Sequence, residues 1–135
     1  MADTPETPDY FAPLRGERHM SLATFRRNGE AVPTPIWFAE VEGLLYVRTA
    51  SHFKKLERIA HDARVTVAPC SQSGEVTGEE LPALARILAP GDPAIAEAES
   101  ALGSRYPAER PAMNQLMQDN GWKGVHVEIR PPNPG

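Results

Sequence analysis

Two short runs in this 135-residue chain hold the residue types that do chemistry. The first is Pro33-Thr34-Pro35-Ile36-Trp37-Phe38, which reads as a strand carrying two prolines two positions apart. Amides at i and i+2 of a strand point the same way, so the prolines remove two donors from one side of the ladder. An ordinary sheet edge accounts for that pattern. So does a gap in which a flat ligand lies beside the strand and uses the amides of Ile36 or Trp37.

The second run is Arg48-Thr49-Ala50-Ser51-His52-Phe53-Lys54-Lys55, where a strand end passes into a helix start. Lysines in a first helical turn sit where the macrodipole is already positive, and an anion reverses that penalty. Helix amides, the hydroxyls of Thr49 and Ser51, and the ammonium groups of Lys54 and Lys55 would together seat a phosphate. The alternative is that both lysines point into water.

Other reactive types are sparse. Cys70 is the one cysteine, which excludes an intrachain disulfide and fits a small buried hydrophobe better than a nucleophile. His19, His52, His61 and His126 have no metal-ligand spacing, so no metal site is expected. Glycine-rich dinucleotide or nucleotide loops and the nucleophile-elbow pattern are missing, so those chemistries have no support.

These runs need elements to hold them. Period-two alternation predicts strands over Met20–Phe25 and Val32–Val41, joined through Arg27-Asn28-Gly29-Glu30, a strong hairpin signal. A third strand covers Leu44–Thr49. A helix follows with Ser51 as its N-cap and Phe53, Leu56, Ile59 and Ala60 on one stripe, ending near His61. Val65–Cys70 and Leu81–Leu88 are further strands, Pro82 blurring the start of the latter. Pro93–Arg105 and about Ala108–Asp119 read as helices, and Val125–Ile129 as a closing strand. The expectation is one α+β domain over residues 1–135 on a small antiparallel barrel of five or six strands, with 1–18 a loose lead-in and 131–135 a loose tail.

The formal charge of −4 argues against a general nucleic-acid or anionic-membrane surface. Within it, Arg48 to Arg64 holds five basic residues against two acidic ones. A nucleic-acid-binding barrel would line such a window with aromatics, and Phe53 is its single one. The acidic, proline-bearing start is unlike an export signal, and no apolar stretch is long enough to span a membrane, so a cytoplasmic protein is expected.

In order and spacing, Ser21–Phe25, Pro33–Phe38, Leu45–Thr49, Lys55 through Arg58-Ile59, Asp62–Cys70 and Ala85–Leu88 resemble the pyridoxamine 5'-phosphate oxidase-like split-barrel family, in particular its F420-dependent branch. The resemblance implies a six-stranded antiparallel split barrel with a few helices, forming a homodimer with cofactor sites at the subunit interface. It implies an oxidoreductase passing hydride between the deazaflavin coenzyme F420 and a small conjugated organic acceptor. FMN is the alternative cofactor, and a non-catalytic flavin, deazaflavin or tetrapyrrole carrier the alternative role. By position, Thr49, Ser51, Lys54 and Lys55 become phosphate ligands, Thr34, Pro35, Ile36 and Trp37 flank the ring, and Pro69 lies near the same pocket. Phe53, Lys54 and Glu57 depart from the family pattern, Phe53 in the direction of a narrower pocket.

Overall fold

A computed structural model describes residues 10–132. Seven strands form a single antiparallel sheet: β1 (His19–Phe25), β2 (Ala31–Ile36), β3 (Ala39–Val41), β4 (Leu44–Ala50), β5 (Arg64–Cys70), β6 (Leu81–Ile87) and β7 (Gly124–Arg130). Helix α1 (Lys54–His61) lies between β4 and β5, and α2 (Ala94–Arg105) and α3 (Arg110–Asp119) between β6 and β7. No helix among the described residues is long and apolar enough to cross a membrane.

The strand count differs from the expected six because Val32–Val41 is two strands, broken at Trp37-Phe38. The sheet order, β2-β1-β5-β6-β7-β4-β3, puts β2 and β3 on opposite edges. Yet Ile36 and Ala39 are three residues apart, a separation the chain can stretch to at most about 11 Å. The two edges must therefore converge at Trp37-Phe38, and the sheet curls into a barrel joined there by two residues.

The β1–β2 hairpin follows the Asn-Gly signal. Gly29 adopts φ 90°, a region that favours glycine, and its N–H donates to the Arg26 carbonyl at 2.8 Å. In register, Ser21 faces Pro35 and Ala23 faces Pro33. Because β2 is an edge, the donors that proline lacks fall on its unpaired side, where they also block pairing with another chain.

Inside the barrel, Met20, Leu22, Leu45, Val47, Val65, Val67, Val127 and Ile129 are almost wholly buried. Alternate residues of each strand point the same way, which is what lets short apolar-rich strands fill one interior. Leu56 and Ile59 bring α1 onto this core. So do Phe11 and Leu14, both fully buried around a 3-10 turn at Ala12–Leu14. The lead-in is thus not loose from Tyr10 onward: its two large apolar side chains insert into the core, and the Tyr10 hydroxyl donates to the Pro82 carbonyl at 2.6 Å. Residues 1–9 of that lead-in, and 133–135 of the expected tail, lie outside the described residues.

Helix α1 starts three residues after the predicted cap. The Ser51 N–H still belongs to the sheet margin, donating to the Lys123 carbonyl at 2.8 Å, and Phe53 is the residue preceding the helix, with no side-chain cap bond. Ser51 is therefore not the N-cap.

Tyr106, at the end of α2, clamps the barrel junction. It is fully buried and its ring stacks on Trp37 at 5.0 Å and 13°. Its hydroxyl accepts from the Phe38 N–H at 3.1 Å and lies within donating reach of the Arg18 and Phe38 carbonyls, at 2.9 and 3.0 Å.

Candidate functional site

A cavity of about 410 Å³ opens where the proline edge, the end of β4, the start of α1 and helix α3 approach one another. Its size is within the range of small-molecule sites. The β2 edge and junction contribute Pro35, Ile36 and Trp37; β4 contributes Arg48, Thr49 and Ala50; Phe53 and Lys55 come from the α1 start. From the helical side come Leu102, Arg110, Met113, Leu116, Met117 and Trp122, and His19 and Gln72 complete the wall.

Five of the expected ligand residues meet here: Pro35, Ile36, Trp37, Thr49 and Lys55. Four do not line the cavity, each for a local reason. Thr34 sits one residue earlier on the edge strand, half-buried, and its Oγ1 is buried without a hydrogen-bond partner among the described residues. Ser51 is exposed in the turn before α1. Pro69 is buried elsewhere, so close to Gly78 that a Cβ on that glycine would lie 2.6 Å from the Pro69 ring.

Lys54 and Lys55 part company through helical geometry. Successive residues are turned by about 100°. With Leu56 and Ile59 buried, Lys54 falls opposite the buried face and Lys55 beside it. Lys54 is exposed and lies 3.8 Å from Glu57, beside Arg26, Arg27 and Arg58 on the outer surface. Lys55 is half-buried, with Nζ 5.6 Å from the centre of the Phe53 ring. Burial, and then the charge of Arg58, lower its pKa from the ordinary value.

The cavity also holds cations that no motif had marked as ligands. Arg48 stands opposite His126 in the β4–β7 ladder. Gly124 allows its side chain to lie flat there, since a Cβ would come 3.2 Å from Arg48 Cδ. Glu99 of α2 joins three partners: Arg110 Nη2 at 2.5 Å, His126 Nε2 at 2.6 Å and Arg48 Nη1 at 3.8 Å. Burial lowers the Arg48 pKa first and the like charge of Arg110 lowers it further, with Glu99 acting in the opposite direction. For Glu99, burial pushes the carboxyl up, but the His126 hydrogen bond and the two guanidinium charges outweigh it and hold the group below its usual value. In sequence, the signal for Arg48 was an arginine inside an otherwise apolar strand. Arg110 gave no such signal, because an arginine at a helix start normally faces water.

Both tryptophans of the chain, Trp37 and Trp122, are in the cavity wall. The Trp37 indole N–H donates to His19 Nε2 at 3.2 Å, which fixes the ring at the barrel junction. The arrangement is an apolar, aromatic slot with Lys55, Arg48 and Arg110 on its wall, chemically suited to a flat molecule bearing negative groups.

No family model matches the chain, and no curated protein matches it. Solved structures do. HutZ, a heme storage protein from Vibrio cholerae, is 12% identical with a TM-score of 0.69, over 94% of this chain and 90% of that one. A candidate pyridoxamine 5'-phosphate oxidase from Listeria innocua is 16% identical with a TM-score of 0.59, over 96% and 95%. An F420 reductase is 20% identical with a TM-score of 0.57, over 96% and 97%. In fold, the chain is a split barrel of the pyridoxamine 5'-phosphate oxidase-like kind, as the run from Ser21 to Leu88 implied.

Proposed function

We propose that this cavity binds a flavin-type cofactor and that the protein is an oxidoreductase, with F420 as the cofactor and a small conjugated organic molecule as the hydride acceptor. One observation carries the reading: the proline edge, both tryptophans and a half-buried lysine line one cavity. Lys55 and Thr49 hold the cofactor phosphate, and Pro35, Ile36 and Trp37 lie along its ring. When bound, the cofactor supplies the hydride chemistry, while the chain's residues bind, orient and exclude water. The likeness to an F420 reductase supports this choice, and the likeness to a candidate pyridoxamine 5'-phosphate oxidase supports FMN as the alternative.

The site also has an open side. Phe53 and Leu116, 41% and 45% exposed, stand in its wall. Large exposed apolar groups at a cavity mouth favour cover by another surface. A second copy of the chain completes the site in this reading, giving a homodimer.

A second reading, a non-catalytic carrier, is favoured by the likeness to the heme storage protein HutZ. One set of titrations separates the two. Purified protein is titrated with F420, FMN and haem while tryptophan fluorescence is followed, and reduced cofactor is then offered to quinones and enones. Tight F420 binding, weakened about tenfold or more by Lys55→Ala, with acceptor-dependent oxidation, is the expected result. Binding without turnover identifies a carrier, and a preference for haem removes the flavin assignment.

A further inference from the structure

We propose that Arg48 and Arg110 form a carboxylate-binding subsite, separate from the Lys55 phosphate seat, which selects acceptors that are conjugated carboxylic acids. The proposal deepens the oxidoreductase reading and rests on it for the word acceptor, though not for the subsite itself.

The argument begins with charge. Two guanidiniums face one carboxylate, Glu99, so one positive charge is left over. The side chains are 14% and 8% exposed, a setting in which an uncompensated charge is costly. His126 takes up part of Glu99's accepting capacity at 2.6 Å and adds no negative charge.

Geometry agrees with the count. Arg110 Nε is buried with no hydrogen-bond partner among the described residues. Arg48 approaches Glu99 only to 3.8 Å, beyond hydrogen-bond length, which leaves its planar donors without a hydrogen bond to Glu99. Both residues line the cavity. A cluster serving stability alone would pair its charges and satisfy its donors. Here a single negative charge with two oxygens is what would complete it, and arginine donor forks match a carboxylate. The leftover charge of one favours a monoanion over a phosphate dianion. The apolar wall next to these groups, Leu102 and Met113, favours an acid attached to an apolar body.

The test uses the full-length protein, with trans-cinnamate and its neutral isostere cinnamamide as probes in calorimetric titrations, first alone and then with saturating FMN or F420. Cinnamate is expected to bind at least tenfold tighter than cinnamamide. Arg48→Gln and Arg110→Gln should each abolish that preference, and Lys55→Ala should lower cofactor affinity without abolishing it. Glu99→Gln guards against misfolding as an explanation: removing the internal counter-charge should tighten cinnamate severalfold, whereas a damaged pocket would weaken it.

Equal affinity for acid and amide, or a Glu99→Gln variant that binds cinnamate no better, overturns the subsite. Competition between cinnamate and cofactor assigns the anion to the cofactor and overturns the selection of acceptors. An intact acid preference in a protein that binds neither FMN nor F420 supports the subsite while the oxidoreductase reading fails.

Discussion

Two basic regions share the stretch from Arg48 to Arg58 and differ in almost everything that gives charge its effect. The outer one gathers Arg26, Arg27, Lys54 and Arg58 around Asn28 and Glu57. The inner one holds Arg48, Lys55 and Arg110 in the cavity wall. The outer patch has more cations, but Lys54 and Glu57 are 77% and 74% exposed, against 14% and 8% for Arg48 and Arg110. Water and salt screen the first set, so its pairs contribute little. In the second set each charge has lost water and is strongly felt by its neighbours. The number of basic residues therefore does not identify an anion site; their burial does.

The comparison breaks first on stability. Arg110→Met strips Glu99 of its shortest contact and is expected to cost about 2 kcal/mol in urea unfolding, less than for a fully buried pair because Glu99 is 38% exposed. Lys54→Met should stay within about 0.5 kcal/mol. Adding Glu99→Gln should deepen the loss, because it leaves the largely buried Arg48 without a carboxylate. Similar costs for Arg110→Met and Lys54→Met would erase the distinction between the two regions.

Binding sharpens it next. Lys55→Ala should weaken F420 or FMN about tenfold, which is about 1.4 kcal/mol, whereas Lys54→Ala should change affinity less than about twofold. Equal losses would mean that the helix presents both lysines to the phosphate.

The pH dependence gives a smaller effect with a definite sign. Burial and the Arg58 charge lower the Lys55 pKa from 10.5, so the folded chain releases this proton at a lower pH than the unfolded chain does. Between the two values the unfolded state binds more protons, and the Lys55 contribution to stability rises with pH. Cofactor affinity should move the opposite way, falling as pH rises through the lowered value, before 10.5 is reached. Titrations across that range should show the fall in the parent protein and a flatter profile in Lys55→Ala. A seat made of arginine alone would show none.

The smallest effect is expected at Ser51. A true N-cap serine costs about 1 kcal/mol when replaced by alanine. Ser51 makes no cap bond, so Ser51→Ala should cost less than about half of that in thermal unfolding. A full capping loss would show that its hydroxyl holds the start of α1 after all.

Much of the barrel was legible because its signals are local. Asn28-Gly29 fixes a turn by backbone preference, and the Leu, Tyr and Val of Leu44–Thr49 favour a strand, and both stand in the structure. The break at Trp37-Phe38 was not legible, because Ile36-Trp37-Phe38-Ala39 is one apolar run without a turn residue, redirected by the need to join two sheet edges. The site was half legible for a similar reason. Pro35–Trp37, Thr49 and Lys55 lie in continuous motifs, whereas Arg110 reaches the cavity only because α3 folds back over β4 and β7. Lys54 and Lys55 are the same residue type in adjacent positions, and only the helix phase, set by the packing of Leu56 and Ile59, separates them.

The two-residue junction bears on how the molecule assembles. The β1–β2 and β3–β4 hairpins form from neighbouring residues, and the two-residue link at Trp37-Phe38 keeps β2 and β3 close from the start. The Tyr106 clamp arrives from another 68 residues downstream. The clamp, unlike the seam it holds, therefore closes a long loop, at a higher entropic cost than either hairpin. Interactions made after the rate-limiting barrier govern how slowly a native protein comes apart more than how quickly it forms. For the tyrosine that steadies one wall of the cavity, a Tyr106→Phe variant is thus expected to speed unfolding more than it slows folding, as stopped-flow unfolding would read.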